Sequence, residues 1–211
     1  MPSTAVDQVR DFINGQKDSL VSLVKRLVEA ESPSAHPQYH DSVRRILASA
    51  LMDVGYVTRE PGAARGVRHV FARPAARCRD RGNQLLVGHF DTVWPIGTLG
   101  KRPFTVNGNT MRGPGVFDMK GGLGQIVLAL RALHELRLEP PLTPVVLINA
   151  DEEIGSRTSA PYIRMLARRA ERAFVLEPAL GANGDLKTER KGIGRFTVTV
   201  FGKAAHAGLD P

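Results

Sequence analysis

Four stretches of this sequence place a histidine or carboxylates directly after apolar runs. Leu85-Leu86-Val87 leads into Gly88-His89-Phe90-Asp91, and Gly113-Pro114-Gly115-Val116-Phe117 leads into Asp118. The run from Pro144 to Asn149 leads into Ala150-Asp151-Glu152-Glu153, and Ala173 to Leu176 leads into Glu177-Pro178. Apolar runs of this kind read as buried strands, and ligands of open α/β sheets collect at the carboxyl ends of such strands. One imidazole and several carboxylates are hard ligands suited to a pair of divalent cations, which activate water and stabilise developing negative charge. Together the four stretches read as most of a two-metal hydrolase site.

Each stretch has a plainer reading when taken alone. His89 and Asp91 lie two apart and would point to the same side of a regular strand. A ligating histidine needs its second ring nitrogen held, a role that Asp91 is placed to fill, although Asp91 could also bind a metal directly. Without a metal the pair is a buried histidine and a loop cap. Asp118 precedes a glycine-rich helix entry, where an aspartate is a good N-cap, but its two oxygens could also bridge two cations. The glycines suggest phosphate binding, yet no Gly-Lys-Ser/Thr follows and the dinucleotide fingerprint is missing. Asp151-Glu152-Glu153 could be solvated surface acids. At the end of a buried strand, however, unpaired acids are costly unless metals or protons compensate. Glu152 and Glu153 project differently, so one can bind metal while the other carries a proton from water to a leaving amine. Glu177 repeats the arrangement one strand further on.

The elements that must position these residues follow from periodicity. Val6 to Ile13, Leu20 to Val28 and His40 to Met52 carry apolar residues at helical spacing, interrupted at Ser32-Pro33-Ser34. Tyr56 to Arg59 and Val67 to Ala72 read as strands, and Met119 to Leu136 as the longest helix. Ser156 is a candidate cap for a helix reaching about Arg169. Ala173 to Leu176 reads as a further buried strand. Alternating strands and helices predict an α/β sheet with helices on both faces. From Arg195 to Phe201 the pattern alternates as in a half-buried strand, after the turn-rich Lys191-Gly192-Ile193-Gly194. This predicts a boundary near residue 190, with residues 191–211 beginning a second domain.

The bulk composition narrows the function. The chain has 211 residues, 42% hydrophobic and 24% charged, the values of an ordinary globular protein. Its net charge of +8 is spread along the chain rather than clustered with stacking aromatics, so nucleic-acid binding is not expected. A mild attraction for anionic substrates follows from the same charge. No apolar run is long enough to span a bilayer, and no signal-peptide pattern opens the chain. A single cysteine, Cys78, cannot form an internal disulfide, so a cytoplasmic location is expected.

The motifs, in this order, resemble the co-catalytic zinc peptidases and deacylases. That family includes glutamate carboxypeptidase, acetylornithine deacetylase, succinyl-diaminopimelate desuccinylase and aminoacylase. The resemblance runs from about Leu85 to Gly208. His89-Phe90-Asp91-Thr92-Val93-Trp94-Pro95, with Arg102-Pro103-Phe104, is most similar to the glutamate carboxypeptidase branch. It implies a three-layer α/β catalytic domain around a central mixed sheet over residues 1–190. The first strand of an α+β lid and dimerisation domain would lie in residues 191–211. It also implies two zinc ions, replaceable by cobalt or manganese, with Asp118 bridging them. His89 and Glu177 would bind one ion and Glu153 the other. Glu152 would be the general base, Asp91 would orient His89, and the Asp118-Met119 peptide would be cis. His206, in Gly202-Lys203-Ala204-Ala205-His206-Ala207-Gly208, would reach a substrate carbonyl across a homodimer interface. The expected reaction is cleavage of an amide bond beside a carboxylate-bearing amino acid, in a small peptide or N-acyl amino acid.

The sequence departs from that family in one ligand. The second zinc takes a late histidine from beyond the lid, and His36, His40, His69 and His134 all lie in regions predicted to be away from the site. The chain is therefore expected to be a truncated catalytic domain prone to association. Two alternatives accompany the main reading. One is an inactive fragment that binds a metal or a partner chain. The other is a family member acting as a dipeptidase or N-acyl amino acid deacylase.

Overall fold

The computed structural model describes residues 4–62, 66–76, 80–181, 183–192, 194, 196–202, 205, 206 and 208. Cys78 lies outside the described residues. The chain divides into two compact units, Met1–Pro178 and Ala179–Pro211.

The first unit opens with two amphipathic helices, α1 (Ala5–Gly15) and α2 (Lys17–Glu29). Thr4 and Asp7 begin α1 with a reciprocal capping box: each side chain accepts the other residue's backbone N–H. A third helix, α3 (Asp41–Met52), leads to strands β1 (Tyr56–Arg59), β2 (Val70–Pro74) and β3 (Asn83–His89). After a short helix α4 (Thr98–Lys101) and a small hairpin of β4 (Thr105–Asn107) and β5 (Thr110–Arg112) comes the long helix α5 (Gly121–Glu135). Strand β6 (Thr143–Asn149), helix α6 (Ala160–Ala167) and strand β7 (Ala170–Val175) complete the unit.

The main sheet has the order β1-β2-β6-β3-β7. Strand β2 pairs antiparallel with both β1 and β6, whereas β3 runs parallel to β6 and to β7. The chain thus leaves β3 for β6 on one side and returns to β7 on the other. The carboxyl ends of the three parallel strands open at that reversal, the place where an α/β sheet leaves a crevice. The principal core joins Leu27 of α2, Leu47 and Leu51 of α3, and Leu123, Ile126 and Leu130 of α5 to Val70, Ala72, Val146 and Ile148 of the sheet. Phe90 and Met119, each beside a site residue, are fully buried in the same core. Such burial contributes roughly 1.5–3 kcal/mol per large apolar side chain.

Three local expectations are corrected. Ser156 does not cap α6: it has φ +54°, and Ser159 occupies the N-cap position. β7 is not buried; it is an edge strand whose residues Glu171 to Val175 are exposed, because among the described residues only β3 pairs with it. The predicted strand at Arg195–Phe201 is not formed among the described residues, where Phe196 and Phe201 are 90% and 93% exposed. An alternating pattern needs a neighbouring strand and an apolar partner face, and the second unit offers neither among its described residues. Its defined feature is a turn in which Leu180 and Asp185 exchange backbone hydrogen bonds of 2.9 and 3.0 Å.

Candidate metal centre

His89 is the last residue of β3 and is 1% exposed. Its Nδ1 lies 2.9 Å from the Asp91 carbonyl oxygen. A carbonyl only accepts, so Nδ1 carries the hydrogen and Nε2 is the nitrogen turned to the site. Around Nε2 stand Asp118 Oδ1 at 3.1 Å, Glu177 Oε1 at 3.2 Å and Glu152 Oε2 at 4.0 Å. Burial alone would disfavour the imidazolium, but hydrogen bonds and charge from Asp91 and Glu177 prevail and push the group up to about 11.

The wide turn Val116–Lys120, between β5 and α5, carries Asp118, and the Asp118-Met119 peptide is cis. Met119 Sδ accepts the His89 N–H at 3.1 Å, which ties this turn to the end of β3. Gly122, in the first turn of α5, explains how Glu177 comes close. A Cβ there would stand 1.9 Å from the Leu176 carbonyl oxygen, so only glycine lets the helix start against the β7 exit.

The acidic run after β6 divides its labour. Asp151 is buried, and its Oδ2 accepts the Thr158 N–H at 2.6 Å, the Thr158 hydroxyl at 2.8 Å and the Ser159 N–H at 3.3 Å. It thereby fixes the turn that leads into α6, gripping the two residues just before the helix. Despite the opposing effect of burial, these bonds hold its carboxyl below the usual range. His69 braces the same loop, accepting the Ala150 N–H on Nδ1 at 3.2 Å and facing Thr158 Oγ1 from Nε2 at 3.3 Å. Glu152 and Glu153 instead face the opening.

Asp91 holds Glu152 and Glu153 there. Its Oδ1 accepts the Glu152 N–H at 3.1 Å, and its Oδ2 accepts the Glu153 N–H at 3.3 Å and the Ser34 hydroxyl at 2.6 Å. Asp91 contacts His89 through its carbonyl at 2.9 Å and, less closely, through Oδ1 at 3.4 Å from Nδ1. Burial raises the proton affinity of Asp118, Glu152 and Glu153, and neighbouring carboxylates raise it further against the opposing pull of His89. Carboxylates crowded in this way around one imidazole attract protons or a cation.

Two overlapping triads have ligand atoms within 4.8 Å of one another: His89, Glu152 and Glu177, and His89, Asp118 and Glu153. Both use His89, whose one available nitrogen can serve a single ion. A second ion would rest on carboxylates alone among these residues. The donor set of one nitrogen and several carboxylate oxygens fits a first-row divalent cation.

Six expected site residues, His89, Asp91, Asp118, Glu152, Glu153 and Glu177, thus lie together at the ends of β3, β6 and β7. His206 belongs to the second unit, where it is exposed and its Nδ1 accepts the Gly208 N–H at 3.2 Å. His40 is buried with Nε2 2.9 Å from the Pro33 carbonyl. The reading of motifs missed Ser34, Thr158 and Lys120. Burial pushes the Lys120 ammonium down to about 7, and it donates to the Leu27 and Ala30 carbonyls at 2.7 and 3.0 Å. Ser34 gave no signal beyond interrupting a helical pattern, because its partner lies 57 residues away.

The fold and this cluster define an α/β protein with a candidate metal centre at the carboxyl ends of its parallel strands. The chain belongs to peptidase family M20/M25/M40, whose pattern matches residues 85–207. It is 32% identical over 216 residues to carboxypeptidase G2 of Pseudomonas sp., a match covering 99% of this chain and 51% of that protein. It is 30% identical over 200 residues to acetylornithine deacetylase of Salmonella typhimurium, covering 90% and 50% respectively. The chain spans about half the length of these curated relatives. Among solved structures its fold matches human carnosine dipeptidase 1 with a TM-score of 0.67 and 19% identity, over 80% of this chain and 40% of that one. It also matches the M20 family metallo-carboxypeptidase Sso-CP2 of Sulfolobus solfataricus with a TM-score of 0.60 and 20% identity, over 79% and 38%. These likenesses support the α/β fold with a mixed central sheet.

Proposed function

We propose that this chain carries the greater part of a zinc-dependent hydrolase centre that cleaves an amide bond beside a carboxylate-bearing amino acid. The observation that supports this best is the convergence of Asp118 and Glu177 on His89 Nε2, at 3.1 and 3.2 Å, at the carboxyl ends of the parallel strands of a mixed sheet. Names such as carboxypeptidase G2 and acetylornithine deacetylase among its relatives support peptide or N-acyl amino acid substrates. His89, Asp118 and Glu177 would hold one zinc, and Asp118 with Glu153 a second; cobalt or manganese would suit the same donors. When bound, such a cation polarises a carbonyl and lowers the pKa of a water.

Glu152 then acts as the general base: its raised proton affinity suits it to take the proton of the attacking water and return it to the leaving amine. Asp91 positions both His89 and Glu152, through its carbonyl and its carboxylate respectively. His206 would contribute to substrate binding from a lid and dimerisation domain that begins near residue 191, in a homodimer. The single cysteine supports a reducing, cytoplasmic setting.

The test is hydrolysis of an N-acyl glutamate by the zinc-loaded chain and by Glu152→Gln. A loss of about 10²-fold or more in rate is expected for removing a general base. Equal rates in the two proteins would remove Glu152 from the mechanism. A second reading is favoured by the exposed edge of β7, with Phe174 and Val175 open. On that reading the chain binds metal and a partner chain without turnover of its own. Metal binding combined with no hydrolysis by either protein would select it.

A further inference from the structure

Ser34 lies in the segment that follows α2 and is buried against the exit of β3. Two serines fasten this segment. Thr92 N–H donates to the Ser32 carbonyl at 2.9 Å, and Ser34 N–H donates to the Thr92 carbonyl at 3.0 Å. The Ser32 hydroxyl donates to the Phe90 carbonyl at 2.6 Å, and the Ser34 hydroxyl to Asp91 Oδ2 at the same distance, with the Thr92 carbonyl a longer alternative at 3.2 Å. The bonds are equal in length and both buried, but their acceptors differ in kind. One is a backbone carbonyl facing the core; the other is the carboxylate that holds Glu152 and Glu153 by their N–H groups.

We propose that Ser34 is a positioning residue of the metal centre, acting through Asp91 on the acidic loop. This rests on the metal-centre reading given above. Asp91 is fully buried, and three donated bonds orient its carboxylate plane, with His89 Nδ1 farther off at 3.4 Å from Oδ1. Of the three bonds, that from Ser34 comes from outside the loop being positioned, and at 2.6 Å it is closer than His89 Nδ1 at 3.4 Å, so it supplies the tighter fixed reference. Without it, Asp91 can swing with the loop, and the Glu153 and Glu152 side chains lose their register against Asp118 and His89. The second hydrogen bond of the segment, from Ser32, holds the Phe90 backbone carbonyl and does not engage the Asp91 carboxylate.

The test is a cobalt(II) titration of the metal-stripped chain, followed by visible absorption, in wild type, Ser34→Ala, Ser34→Thr and Ser32→Ala. Removal of a partner beyond the ligands is expected to weaken cobalt binding about tenfold in Ser34→Ala and to change its absorption band. Ser34→Thr restores the hydroxyl and the spectrum. Ser32→Ala lowers the thermal midpoint while leaving cobalt affinity and spectrum as in wild type. Wild-type affinity and spectrum in Ser34→Ala would overturn the positioning role, as would an equal weakening in both alanine variants. Absence of cobalt binding in the wild type would overturn the metal-centre reading itself, and this inference with it.

Discussion

Two groups of carboxylates meet at the strand ends, and they live in opposite surroundings. Asp91 and Asp151 are buried and held by donated hydrogen bonds, from Ser34 and two loop N–H groups in one case and from Thr158 and Ser159, all on Oδ2, in the other. Asp118 and Glu152, with side chains 54% and 48% exposed, crowd together with Glu153 and Glu177 around a single buried imidazole. Burial and mutual repulsion raise the proton affinity of Asp118, Glu152 and Glu153, while donated bonds lower that of Asp151. The contrast teaches how to sort acids in such a site: those gripped by several donors of the fold are frame, and those left crowded are available for a cation or a proton.

The comparison breaks most visibly at the frame. Asp91→Ala leaves two N–H groups without their acceptor and the Ser34 hydroxyl with only the Thr92 carbonyl at 3.2 Å, and about 3 kcal/mol of stability should be lost. Urea denaturation measures this, and an unchanged midpoint would mean that Asp91 is not a frame residue. Asp151→Ala leaves the Thr158 and Ser159 N–H groups without their acceptor and should cost about 2 kcal/mol by the same measurement, with cobalt affinity retained. The opening should behave in the reverse sense. Glu153→Gln relieves crowding, so the metal-free chain should hold its stability or gain roughly 0.5 kcal/mol, as for surface charges. The same variant should bind cobalt more weakly. A stability loss as large as that of Asp151→Ala would erase the distinction.

The remaining expectation concerns pH dependence. The raised groups bind protons more tightly folded than unfolded, so their contribution is present at low pH and declines as pH rises. For Glu152 and Glu153 the decline begins above their ordinary value of 4.5. For His89 the contribution is complete below 6.5 and is lost as pH climbs through about 11. Asp151, lowered from 3.8, acts oppositely: its contribution is complete above that value and is lost as pH falls further. Thermal midpoints of the metal-free chain should therefore decline from pH 7 toward pH 10, a trend that His89→Gln should flatten.

Much of this arrangement was legible in the sequence, for physical reasons that also explain the failures. β3 and β6 are covered on both sides by neighbouring strands and carry continuous apolar runs, so their ends, and the acids placed there, could be read directly. The run before Glu177 looked the same but belongs to an edge strand, because an apolar run does not reveal which neighbours cover it. Ser156 has the right chemistry for a cap, yet Asp151, farther from α6 in sequence, holds the N–H groups of Thr158 and Ser159 just before the helix. The motifs marked Asp91 as a partner of His89. They did not show that its carboxylate grips Glu152 and Glu153 across 61 and 62 residues, since such bonds depend on tertiary proximity. The alternation after Arg195 predicted a strand, but pattern alone does not supply a partner for it.

The most direct test of the central claim, that the crowded acids and His89 form a metal centre, is calorimetric zinc titration of the metal-stripped chain beside Asp118→Asn. Bound zinc must displace the proton from His89, so binding is predicted to release protons, strengthen with rising pH and weaken sharply in Asp118→Asn. Zinc binding of equal strength in the two proteins, or none in the wild type, would contradict it.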